Sequence, residues 1–211
     1  MNDMNQSRTR SEITMLGTCL MLVISGISAA EKSLEPNIET DLETLSALQK
    51  KGNGFQDEAK NLKENQDEAS IAKIKELEAK AKAAFVEAAR GYEKLAIQKL
   101  ANQHPADPRA GMVFLSAGMN YMRAAEWNKA IEVFDTIARL DQMQDDLRAQ
   151  TMYWKAFALE KQGGEDAISE SFGAYRRVAF EFPESKWAKF ARGRLADERY
   201  KDLRGEIEPP R

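Results

Sequence analysis

Cysteine and histidine are almost missing: one of each stands among 211 residues. Cys19 lies in an apolar run near the start, so a chain processed beyond that run would carry no thiol. Disulfides, thiol catalysis and cysteine-ligated metals are then excluded, even in a compartment that permits disulfides. His104 precedes Pro105 at an expected helix exit, where it serves as a C-terminal cap. A histidine triad or zinc cluster would need partners this chain lacks. Proline and glycine are sparse, six and twelve residues, and charge of one sign is not in excess, the net being −3. The first scarcity favours an all-helical chain; the second gives no global field for nucleic acid. No phosphate-cradling glycine loop precedes a helix. "GGED", Gly163 to Asp166, shares only letters with the nucleotide-cyclase signature and sits at an expected hairpin turn. No enzyme, cofactor or metal site is therefore expected.

Residues 1–30 read as an export segment. Arg8 and Arg10 precede an uncharged run, Ile13 to Ala30, that ends in small residues. Ser28 and Ala30 suit signal-peptidase cleavage before Glu31. Two other readings stay open: an uncleaved anchor at the lower length limit for a span, and a lipoprotein with Cys19 in "LGTC". All three place the chain outside the cytoplasm, in the periplasm or its equivalent. Membrane contact is expected only where this segment is retained.

Residues 31–79 read as an N-terminal helical arm, a candidate coiled coil through which the chain would self-associate. Leu42, Leu45 and Leu48 mark a weak amphipathic helix, which Gly52 and Gly54 are expected to end. A long helix then follows to Gln103, and Asp107-Pro108 signals the next start.

Residues 80–205 contain a repeat. Phe114, Ala117, Gly118, Tyr121, Ala130 and Phe134 fall at the spacing of the tetratricopeptide repeat (TPR), a helical hairpin of roughly 34 residues. Gly118 is expected to face Ala130 so that the two helices touch, with Tyr121 and Phe134 filling the gap toward the next unit. In a second unit Ala156 takes the small position, Leu159 the large one, Gly163 the turn, Ala167 the close contact and Pro183 the terminal proline. This unit departs from the pattern twice. Lys155 stands where an apolar residue is usual, and three extra residues between Ala167 and Tyr175 lengthen the second helix.

"EFPESKWAKFARGRLAD", residues 181–197, is the joint to a closing helix. Pro183 stops one helix, Ser185 caps the next, and Ala188, Ala191 and Gly193 keep that helix thin. Lys186, Lys189, Arg192, Arg194 and Arg199 give it a polar, basic outer face, available to an acidic partner or anionic surface. Residues 206–211 read as a flexible tail.

Glu181, Phe182, Pro183, Ser185, Trp187 and Ala188 carry a phrase that resembles one in bacterial periplasmic TPR proteins of the Tol-Pal coordinator and BamD-like style. The resemblance spans about residues 80 to 203. It implies an all-α fold, a short TPR-type helical hairpin solenoid preceded by an extended N-terminal helical arm. It also implies a non-enzymatic adaptor or scaffold that binds an envelope protein or peptide.

The expected binding surface is the concave groove lined by the first helix of each hairpin. Met112, Leu115, Met119 and Met122 fall there, with Arg123 at the edge, and Tyr153, Trp154 and Phe157 match them in the second unit, with Lys161 nearby. Methionine and aromatic side chains suit a groove for an apolar peptide. The alternative is that the chain's own flanking helices cover these residues.

Overall fold

The structure, a computed structural model, describes residues 36–63, 67–101, 109–140 and 143–205. Among these every element is helical and no strand occurs. The expected export segment, His104-Pro105, Asp107-Pro108 and the tail lie outside the described residues. The chain divides after Thr44 into two compact units. Of the first only residues 36–44 are described, the opening of the first helix. The second holds the remainder of that helix and every later element.

Helix α1 runs Pro36–Leu62, straight through the two glycines expected to break it. Gly52 is buried, and a Cβ built there would stand 2.7 Å from the ring of Phe85. That glycine is a contact surface for α2, Glu68–Leu95. The real break comes later. Asp67 accepts hydrogen bonds from the Ser70 N–H and hydroxyl, both at 2.8 Å, and so starts α2 afresh where one continuous helix is expected. A π-helical segment, Ala96–Ala101, extends α2.

Next come α3, Arg109–Arg123, and α4, Trp127–Ala138. Their turn closes with Glu126 N–H on Tyr121 C=O and Ala125 N–H on Met122 C=O, a Schellman pair. Ala125 takes the left-handed position at φ 57°. Helices α5, Asp145–Gln162, and α6, Glu165–Glu181, form the next hairpin, turned by Gly163 and Gly164 at φ 77° and 88°. The joint behaves as expected. Helix α6 stops before Pro183, and the Ser185 hydroxyl accepts from the Ala188 N–H at 3.1 Å to start α7, Lys186–Leu195. A 3-10 turn, Glu198–Tyr200, and α8, Lys201–Gly205, close the described chain.

From α2 to α7 each helix packs on its successor, and α5 also touches α3 and α7. Two expected contacts differ in detail. A Cβ at Gly118 would strike the ring of Phe134, not Ala130, although Ala130 is fully buried. Gly193 faces open space, whereas Ala188 and Ala191 are buried and form the thin face of α7.

Candidate functional site

The residues expected to line an open groove lie mostly in the interior. Leu115, Met119, Met122, Tyr153, Trp154 and Phe157 are each no more than 6% exposed. Met112 and Arg123 are half-buried, and Lys161 is exposed. Helix α7 covers the second set. The Trp187 ring lies 5.5 Å from Tyr153 and 5.9 Å from Trp154, and Phe190 closes over Tyr153 at 6.1 Å. Phe157 sits between the Lys161 ammonium at 5.1 Å and the Arg194 guanidinium at 4.9 Å. On the side of α3, Asn120 donates to Gln49 of α1 at 3.1 Å, and Arg123 stands over the Phe85 ring at 5.7 Å. Burying methionine and aromatic surface gains about 25 cal/mol per Å², so flanking helices with apolar stripes take these faces as their own core. The remaining expected packing residues, Ala117, Tyr121, Phe134 and Ala156, are buried.

A buried polar cluster, not evident from the sequence, joins the last elements. The Glu160 side chain is fully enclosed and accepts from Tyr175 at 3.0 Å, Arg199 at 2.7 Å and Arg194 at 3.2 Å, with the Tyr200 hydroxyl at 3.4 Å. Ser171 meets the same Tyr200 hydroxyl at 2.8 Å. Burial pushes the Glu160 carboxyl above its usual value, and the Arg199 charge pulls it back. Arg194, expected on a solvated basic face, therefore turns inward, and Arg199, still 39% exposed, reaches in with one guanidinium nitrogen. Lys186, Lys189 and Arg192 remain exposed.

An open cleft lies elsewhere. About 720 Å³ in volume, it has α5 as its floor, with the end of α4 and the residues after it as one wall and α6 from Glu170 to Glu181 as the other. Lys155 stands on the floor, its ammonium 2.8 Å from Asp135 of α4 and 3.1 Å from Glu170 of α6. Burial works to lower the value of this ammonium, and the two carboxylates more than offset it, so the net shift is upward. On the α6 wall Arg177 pairs with Glu181 at 2.8 Å. Arg139 and Arg148 also line the cleft and are exposed, and their guanidinium groups have no ion-pair or hydrogen-bond partner among the described residues. Gly173 lines the α6 wall, and a Cβ there would meet nothing within 4 Å.

Among the described residues no three histidine, cysteine or acidic side chains converge to hold a metal ion. No described helix is long and apolar enough to cross a membrane. No protein-family model matches the chain, and neither a curated protein nor a solved structure matches it.

Proposed function

We propose that this chain is a non-enzymatic adaptor built of tetratricopeptide-like hairpins, acting outside the cytoplasm and holding a partner protein or peptide on its helical surface. The observation that carries the reading is a contrast between two faces. The methionine and aromatic face is filled by the chain itself, while the cleft over α5 is left open between α4 and α6. Hairpins packed each on the next, with Gly118 seated against Phe134, form a stiff support for such a cleft. The extracytoplasmic location rests on Arg8, Arg10 and the apolar run to Ala30.

In-cell photocrosslinking from exposed positions on the rim of the cleft, such as Ala138 and Glu181, tests the reading. One discrete partner band at these positions, missing from positions on the far side of the chain, is the expected result. Crosslinks only between copies of this chain would overturn it. They would favour a second reading, self-association through residues 31–79, to which Ile71 contributes a 45% exposed apolar side chain on α2. Sedimentation of an Ile71→Glu variant separates the two, since only the second reading expects it to lower the mass of the assembly.

A further inference from the structure

Both departures of the second hairpin from the plain repeat pattern meet in the cleft over α5. Lys155 replaces an apolar residue and becomes the cleft floor, tied to Asp135 and Glu170. Helix α6 is 17 residues long against 12 in α4, so its far end extends the wall.

Gly173 shapes the same wall. A glycine inside a helix costs about 1 kcal/mol relative to alanine, and the common compensation is close approach of a neighbour. Gly173 has no such neighbour, because its Cβ direction is empty. Its effect is to leave the cleft wall clear of side chain.

The charges lining the cleft do not cancel evenly. The carboxylates Asp135, Glu170 and Glu181 are all engaged by Lys155 or Arg177. Four cations against three carboxylates leave the lining a net +1, and among the described residues the Arg139 and Arg148 guanidiniums stand outside these ion pairs. Two guanidiniums without partners bind carboxylates in a forked geometry that lysine cannot match. Length decides between a compact ligand and an extended one. The α6 wall runs from Glu170 to Glu181, roughly 16 Å at 1.5 Å per residue, which matches about five residues of extended peptide at 3.3 Å each.

We infer that the cleft binds an extended acidic peptide segment of a partner protein, its carboxylates on Arg139 and Arg148 and its backbone running along the open wall at Gly173. This rests on the adaptor reading for its biological meaning, but its test does not.

The test is fluorescence anisotropy on the full chain with a labelled peptide of alternating glutamate and alanine, beside its lysine counterpart. Saturable binding of the acidic probe alone is expected, weakening as salt rises. Gly173→Leu fills open space and removes a helical glycine, so it should not lower the melting temperature while weakening the acidic probe by about tenfold or more. The double change Arg139→Ala with Arg148→Ala should weaken it to a similar degree, and Gly173→Ala should bind nearly as the parent does. Undiminished binding by folded Gly173→Leu, or no saturable binding by the parent, would overturn the proposal. Equal competition by inorganic polyphosphate would also overturn it, since charge alone would then explain the signal. Failure of the adaptor reading looks different: peptide binding would persist while crosslinking in cells found no partner.

Discussion

Ala125 holds the turn between α3 and α4 in the left-handed region, where a Cβ crowds its own carbonyl. Glycine would remove that strain at the Schellman position, at the expense of a more flexible unfolded chain. The strain is the larger effect, so Ala125→Gly should raise stability by about 0.5–1 kcal/mol, read from the midpoint of urea unfolding. Two other glycines make a sharper pair. Gly118→Ala drives a methyl into the fully buried Phe134 ring, an overpacking change of about 1–3 kcal/mol against a helix gain of about 1. It should destabilise. Gly173→Ala keeps the same helix gain and meets nothing, so it should stabilise by about 0.5–1 kcal/mol. Denaturation of both variants checks the signs, and equal signs would place one of the two helices in the wrong register.

At the scale of elements, local chemistry was legible in the sequence and distant pairing was not. Ser185 and Pro183 declared the joint between α6 and α7 because capping and helix breaking act within a few residues. Gly52 misled because its role depends on Phe85, which no local signal announces. The stripe of Met119, Tyr153 and Trp154 was readable as apolar, but not as a buried face with α7 closing over Tyr153 and Trp154. Lys155 was visible as an oddity, and only the fold places it on a cleft floor. Glu160 left the weakest trace, since its arginines lie 34 and 39 residues downstream. That cluster now fixes the C-terminal turn and α7 onto α5 and α6. Removing the carboxylate strips an acceptor from two guanidiniums and two tyrosine hydroxyls, while Arg199 keeps Asp197 at 3.1 Å and Tyr200 keeps Ser171. Glu160→Ala should therefore cost about 3 kcal/mol, the low end for breaking a buried pair. Hydrogen exchange should show the loss first at residues 197–205, which the cluster pins through Arg199 and Tyr200. Uniform loosening from α2 onward would mean that the cluster stabilises the core as a whole, without serving as a local clasp.

At the scale of the whole molecule, the five tyrosines act together. Burial disfavours the phenolate at each of them. Tyr92, Tyr121 and Tyr200 are pushed up from 10 to about 12. Tyr153 and Tyr175 are pushed higher still, again chiefly by burial, with the Glu160 charge adding to it. A folded value above the unfolded one means the folded state keeps protons that the unfolded state releases. Their contribution is thus fully present below about pH 10 and is lost as pH rises from 10 through 12 and beyond. For a deeply buried ring, a tenfold drop in acidity on folding corresponds to about 1.4 kcal/mol, against a total stability of about 5–15 kcal/mol for an ordinary domain. Unfolding should therefore overtake ionisation. An alkaline titration followed by tyrosinate absorbance and far-ultraviolet circular dichroism should show one joint transition above pH 10, with little absorbance change before it. Smooth ionisation centred near pH 10 with helicity intact would show that water reaches the rings and that the interior around α5 is open.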